Sequence, residues 1–395
     1  MVEQSDLAAD WSLVTDLPAL EQAAERIAAG TGPAGVDAER ASGFRYGQEA
    51  YLVQVHRQGA GTFLFDPTAL DTFEPLADAL RGEEWILHAA SQDLACLETL
   101  GLIPERLFDT ELASRLLGFD RVGLGAIVEQ LLGIRLHKAH SAADWSTRPL
   151  PEPWLEYAAL DVALLPDLRE LVSRELDAQN KVEIAQQEFE AVLNRSPKPS
   201  PIEPWRKLAG GNRLKTPREL AIARELWDAR DDLARSSDVA PGRLLPDASL
   251  IVAASINPRS KGQLAGIKEF RGRASRTELD RWWNAVLRGK TSEDLPGQPP
   301  RVADAMPHHR NWGQRYPEAA ARLAAARDAV AAEADRQRMP IENLLTPDTL
   351  RRLAWDPPGE PTAEAIAHRL AELGARPWQC VATAPIIARA FVETR

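Results

Sequence analysis

The sequence predicts an α/β domain, a mixed sheet flanked by helices, followed by two all-helical domains. Three observations carry that expectation. Up to about residue 195, short strand-patterned runs are mixed with helical ones, the signature of an α/β layer architecture. From residue 205 onward only helical periodicity is found, interrupted by a loose Pro- and Gly-rich stretch at 292–307. Between the two kinds of pattern lies Ser196-Pro-Lys-Pro-Ser-Pro-Ile-Glu-Pro204, a stiff linker. The expected divisions are therefore 1–195, 205–290 and 308–395, in a 395-residue chain too long for a single core.

Taken in order, residues 15–29 offer Thr15 or Asp16 as a cap and then apolar residues at helical spacing. A strand through Val36 delivers Asp37 and Glu39. Residues 51–55 alternate as a half-buried strand, and 62–65 form another before the Asp66-Pro67 stop, so the three predict an antiparallel meander. A helix over 70–81 and a short buried strand over 84–88 follow. Helices are then expected at 94–100, from the Asp109-Thr110 cap to about Leu117, and at 124–132, where Gly133 ends the run. The polar loop 138–151 leads into a long amphipathic helix over 152–178, with Pro153 near its first turn. Pro217 opens the main early helix of the second domain. The two C-terminal domains read as diverged copies, each opening on a long helix (218–235 and 317–338). Related turns follow, Leu244-Leu245-Pro246 to Leu250 and Leu344-Leu345-Thr346-Pro347 to Leu350.

Composition narrows the function. No apolar run reaches the eighteen or so residues of a membrane helix, and the N-terminus carries acids with no basic n-region, so a cytoplasmic protein is expected. Cys96 and Cys380 have neither metal spacing nor a disulfide pattern, and no organic cofactor is expected. The net charge of −11 is unevenly spread. Residues 1–200 hold 16 Lys and Arg against 33 Asp and Glu, whereas 203–290 hold 18 against 11. That division suits a chain that grips phosphates in one module and metal ions in another; acidic surfaces also serve solubility alone.

Three acidic places stand out. In a strand, Asp37 and Glu39 share a face, and two close anions imply a cation between them. Asp93 follows the buried strand at a strand-to-helix junction, and Tyr157 and Asp161 lie one helical turn apart. Each has a plainer reading: a solvated acid pair, a helix N-terminal charge, a local hydrogen bond. Converging on one point, the four carboxylates would hold two hard divalent cations, about 3.5–4 Å apart, suited to in-line phosphoryl displacement. The tyrosine hydroxyl could orient the attacking water.

In order, spacing and context this set resembles the ribonuclease D family, DEDD-superfamily 3′→5′ exonucleases of the tyrosine subgroup. Asp37-Ala38-Glu39 matches the first motif, 88–94 (His-Ala-Ala-Ser-Gln-Asp-Leu) the second, and 157–162 (Tyr-Ala-Ala-Leu-Asp-Val) the third; Lys138 and 141–150 look like the lead-in. The resemblance implies an RNase H-like core and two HRDC modules, the helical domains shared with RecQ-type helicases, that help form a ring around the site. It implies that Asp37 contacts both metals, Mg²⁺ or Mn²⁺, that Glu39 and Asp161 hold the first, and that Asp93 holds the second mostly through water. It makes Tyr157 the positioner of the water. The implied activity is removal of 3′ nucleotides from RNA with a free 3′ end, tRNA or other structured precursors in particular, with release of nucleoside 5′-monophosphates. A DNA 3′→5′ exonuclease of the Werner type, a non-catalytic nucleic-acid-binding protein and a structural helicase partner are the alternatives. One departure is Ala38 in place of the family's threonine; alternation turns residue 38 away from the carboxylates.

Further candidates have two readings each. His88 approaches substrate or is bonded to backbone, and Gln54 is a sheet-edge or a substrate-facing amide. Lys138 and Arg148 reach phosphates or are solvated loop charges. Trp145 stacks on a base or anchors its loop. Lys261, Lys268 and Arg271, with Arg273 around Phe270, form an RNA-tracking surface or an ordinary cationic face. Trp282-Trp283 is read as bundle core.

Overall fold

The computed structural model describes residues 2–3, 10–136, 142–195, 202–297 and 306–394. Its strands are β1 (Val2–Glu3), β2 (Trp11–Val14), β3 (Thr31–Arg40), β4 (Ala50–Gln58), β5 (Gly61–Phe65), β6 (Glu84–Leu87), β7 (Arg106–Asp109) and β8 (Ile134–Arg135). Six of them form one mixed sheet in the order β2-β5-β4-β3-β6-β7, while β1 and β8 pair separately in parallel. The expected meander is present: β3, β4 and β5 are antiparallel neighbours. Parallel strands extend it on both sides, β2 on β5 and β6, then β7, on β3. The edge strands β2 and β7, four residues each, were not expected.

The helices flanking the sheet are α1 (Leu17–Ala29), α2 (Glu74–Ala79), α3 (Leu94–Glu98), α4 (Thr110–Leu117), α5 (Leu124–Leu132), α6 (Glu152–Ala163), α7 (Leu165–Ala178) and α8 (Val182–Leu193). Asp16, rather than Thr15, caps α1 by accepting the Ala19 amide at 2.9 Å. The expected 70–81 helix contracts to α2, because Thr72 accepts the Glu74 amide and Pro75 opens the first turn. The expected 94–100 helix ends as α3, and Gly101 follows at a left-handed φ of 75°. The 152–178 helix divides at Leu164, because Pro166 has no N–H to give to the Val162 carbonyl and its ring crowds that oxygen.

The second region comprises α9 (Pro217–Ser237), α10 (Pro241–Leu244), α11 (Asp247–Ile256), α12 (Lys261–Ala265), α13 (Arg273–Thr277) and α14 (Leu279–Thr291). Thr216 and Glu219 form a capping box at the start of α9. The third comprises α15 (Trp312–Arg315), α16 (Pro317–Gln337), α17 (Ile341–Leu344), α18 (Pro347–Trp355), α19 (Ala363–Glu372) and α20 (Pro377–Glu393). The segments α9–α11 and α16–α18 share local geometry. Each long helix ends on a left-handed residue, Asp238 (φ 48°) or Arg338 (φ 51°), followed by a one-turn helix and an extended leucine, Leu245 or Leu345. Trp282 is buried in the second region's core, with Trp283 packed on its edge. Among the described residues no helix is long and apolar enough to cross a membrane.

Candidate active site

The centre of the sheet carries the acids. Asp37 lies on β3 opposite Gln54, and Glu39 opposite Leu52. Asp161 comes from the last turn of α6, which packs across β3 at Gly35. A Cβ at Gly35 would stand 2.7 Å from the Val162 carbonyl oxygen. Only glycine lets strand and helix approach so closely, and the approach brings Asp161 to Asp37. Carboxylate oxygens of Asp37, Glu39 and Asp161 all lie within 4.8 Å of one another. Asp93 begins α3, yet its side chain makes no capping hydrogen bond; it lines the same cavity of about 670 Å³. Tyr157 lines that cavity one turn before Asp161, and the two side chains are hydrogen-bonded.

Burial and mutual repulsion dominate the electrostatics. Burial raises Asp37 to about 6, opposed by the Ala38 amide, which donates to its Oδ1 at 2.9 Å, and by Arg40. Glu39 is raised to about 9 by burial and then by the charges of Asp37, Asp161 and Asp93. Burial and Asp37 push Asp93 up to about 8 and hold Asp161 well above the carboxylate range. Burial and Asp161 likewise raise the Tyr157 hydroxyl, which stays protonated at ordinary pH. Such a cluster of hard oxygen donors, short of positive charge, fits divalent cations.

The turn that aims Asp93 depends on a residue whose cap function was legible but whose long-range grip was not. Asp109, at the end of β7, accepts the Glu111 and Leu112 amides and so caps α4. It also accepts the Ala89 and Ala90 amides at 3.0 and 2.9 Å, holding Ala89 at a left-handed φ of 64°. Only the pairing of β6 with β7 brings these groups together. Thr110 adds a bond from its hydroxyl to the Leu87 carbonyl.

The other candidates divide. His88 lines the cavity, but its Nδ1 engages the Thr110 hydroxyl at 2.9 Å and the ring also bonds the Val122 backbone; burial lowers it to about 4. It is a neutral, backbone-fixed wall residue. Gln54 is fully buried, so it does not face substrate. Trp145 is fully buried as well, edge-to-face on Trp154, and anchors its loop instead of offering a face to a base. Arg148 is no phosphate ligand here. It clasps Asp66 with two bonds of 2.7 and 2.6 Å and donates to the Trp145, Thr147 and Tyr51 carbonyls, which uses its whole fork. Lys138 lies outside the described residues. Lys261, Lys268 and Arg271 sit on the second region away from the cavity lining, and Lys261 is paired with Asp280.

Residues 12–177 match a family model described as a 3′-5′ exonuclease, 219–286 one described as an HRDC domain, and 305–391 one described as a 3′ to 5′ exonuclease C-terminal domain. A ribonuclease D of Pseudomonas paraeruginosa is 31% identical over 280 residues, covering 68% of this chain and 74% of that relative. The chain belongs to the ribonuclease D family. A Bifidobacterium adolescentis crystal structure is similar over 96% of this chain and 97% of its own, at 38% identity and a TM-score of 0.88. Escherichia coli RNase D, described as an exoribonuclease involved in structured RNA processing, matches over 92% of this chain and 98% of its own, at 25% identity and 0.68. As a ribonuclease D family member the chain is a divalent-metal-dependent 3′→5′ exoribonuclease acting on RNA. Its exonuclease domain is a mixed sheet flanked by helices, with helical HRDC-type structure following it.

Proposed function

We propose that this enzyme trims RNA one nucleotide at a time from a free 3′ end, tRNA and other structured precursors included, and releases nucleoside 5′-monophosphates. The observation that carries the reading is the convergence of Asp37, Glu39 and Asp161 within 4.8 Å on a cavity that Asp93 also lines. Asp37, Glu39 and Asp161 would hold one divalent cation, and Asp37 with Asp93 a second, Mg²⁺ or Mn²⁺. Bound there, the pair supplies charge stabilisation to the attacking and departing oxygens of an in-line displacement.

The chain's own groups do the rest. Tyr157, kept protonated by burial, cannot act as a base at ordinary pH. Its hydroxyl bonds Asp161 and its oxygen lone pairs remain to accept from a water, which fixes the direction of attack. His88, lowered to about 4 and tied at its ring, is not the proton carrier. Residues 1–195 form the exonuclease unit in this reading, 205–290 a first HRDC-like unit and 308–395 a second, the last supported by the geometry α16–α18 shares with α9–α11. A cytoplasmic setting accords with an RNA substrate.

The test uses 5′-labelled RNA with free or blocked 3′ ends, in Mg²⁺ or Mn²⁺. A ladder of single-nucleotide steps from the free end alone, lost in Asp37→Ala, is expected. Equal degradation of both RNAs, or trimming by Asp37→Ala, would overturn the reading.

A further inference from the structure

Arg40 closes β3 one residue after Glu39, where strict alternation would turn it away from the acids. It is not turned away. The register slips between the pairs Glu39↔Leu52 and Arg40↔Ala50, leaving Tyr51 of β4 as the extra residue, and an irregularity of this kind ends regular pairing and increases the local twist beside active sites. Arg40 lines the same cavity as Asp37, Glu39, Asp93 and Asp161.

Two uses of a guanidinium there can be weighed. As a dedicated counter-ion to Asp93 it would make short, paired bonds, as Arg148 does with Asp66 at 2.7 and 2.6 Å. Instead Nη2 stands 3.6 Å from the Asp93 Oδ1, and among the described residues the guanidinium makes no hydrogen bond. Its side chain is 28% exposed against 9% for Asp93. A permanently charged planar fork with its donors unused, half open to a cavity built for phosphoryl transfer, is shaped for a phosphate. Neutralising the carboxylates also weakens what draws Arg40 toward Asp93.

We infer that Arg40 is a substrate-binding arm that grips a non-bridging phosphate oxygen of the RNA backbone at the cavity. This rests on the exonuclease reading of the site. It adds a cation delivered by the first motif's own strand, one residue beyond its carboxylates.

The test is equilibrium binding of a fluorescein-labelled ten-nucleotide RNA to the full chain in Ca²⁺, with gels confirming that the RNA stays intact, at several salt concentrations. Arg40→Gln should weaken binding about tenfold or more. It should also make the dependence of log K on log salt shallower by about 0.7, the share of one single-strand phosphate. Arg40→Lys, which keeps the charge but not the fork, should restore the slope and part of the affinity. Arg40→Met gives the same reading should Arg40→Gln fold poorly, as judged by its thermal melt. Unchanged affinity, or weaker binding with an unchanged salt slope, overturns the assignment. Trimming by the wild type in Mg²⁺ is scored alongside. Its absence would sink the exonuclease reading, whereas trimming with normal RNA binding by Arg40→Gln would sink the Arg40 inference alone.

Discussion

The two C-terminal helical regions share local geometry and meet the exonuclease domain in opposite ways. The α15–α20 region shares one continuous apolar core with the sheet domain, running from Val36 and Trp85 to Trp312 and Phe391. Charges are buried where they meet. Glu188 on α8 takes Arg376 at 2.6 and 2.7 Å and the Trp378 indole at 2.7 Å, and Lys181 Nζ donates to the Leu116 and Gln337 carbonyls at 2.6 Å each. The α9–α14 region instead keeps its own core. It touches the β3–β4 loop, residues 41–49, through polar contacts. Tyr46 bonds Asp231 at 3.0 Å, Arg45 meets Asp238 at 3.3 Å, the Ala240 amide donates to the Phe44 carbonyl, and Arg243 stacks on Phe44 while donating to the Gly43 carbonyl at 2.6 Å. Ser42, Gly43 and Phe44 line the active-site cavity. One region is built into the stability of the enzyme and the other is latched to the mouth of its site.

Breaking the fused side should have the largest effect. Glu188→Ala strands the buried Trp378 indole and the partly exposed Arg376 guanidinium, and removing one partner of such a pair costs about 3 kcal/mol. Urea unfolding should show that loss in a single transition spanning both regions. A separate early transition for the C-terminal region would break the claim of one shared core. The next effect lies at the site. Gly35→Ala forces β3 off the Val162 carbonyl, an overpacking that costs about 1–3 kcal/mol. Because the same contact brings Asp161 to Asp37, turnover should fall more than RNA affinity does. Wild-type turnover in Gly35→Ala would show that the approach serves packing alone.

The acids of the site and the acid of the fused interface also differ, and pH exposes it. Glu188 has cationic and indole partners, whereas burial raises Asp37 to about 6, and burial with the neighbouring carboxylates raises Glu39 and Asp93 to about 9 and 8. A carboxylate whose folded value exceeds its unfolded one stabilises the fold below pH 4 or so and loses that contribution as pH rises through the folded values. In chelator, the melting temperature should therefore fall by several degrees between pH 5 and 9. Mg²⁺ or Mn²⁺ should restore it most at the alkaline end, where the ligands are free of protons. A flat profile in chelator, or equal rescue by metal at both ends, would count against the picture of acids raised by burial.

What could be read from the sequence follows the range of the interactions involved. Asp37 and Glu39 were legible because strand alternation is local, and Tyr157 and Asp161 because a helical turn is local. That Asp93 joins them was legible only through family resemblance, since nothing local places residue 93 beside residue 37. For Arg148 and Trp145 the sequence left a substrate contact and a plainer loop role equally open, because the residues that claim them, Asp66 and Trp154, show no sign of it in sequence. Arg40 was hidden by the rule that revealed its neighbours, since alternation holds only until the register slips. The two helical regions read alike because their turns are alike. Which would be fused depends on Glu188 in α8, a helix the sequence pattern did not announce, and on Lys181 at its N-terminal cap.

The latch should show the smallest change in stability and a distinctive change in function. Arg45 and Asp238 are 39% and 52% exposed in their side chains, and exposed pairs contribute about 0–1 kcal/mol each and are screened by salt. Arg243→Ala combined with Tyr46→Phe should leave the melting temperature within a degree or two of wild type. At low salt the freed loop no longer holds Gly43 and Phe44 at the cavity, so KM for RNA should rise while kcat changes little. Raising the salt weakens the wild-type latch as well, and the gap in KM between the two proteins should close. The loop amides of 41–49 should exchange hydrogen faster in the variant at low salt and equally in both at high salt. A KM gap that persists at high salt would mean that Phe44 is held by its stacking on Arg243 rather than by charge, and the latch would then be apolar in kind, closer to the fused interface than its exposure suggests.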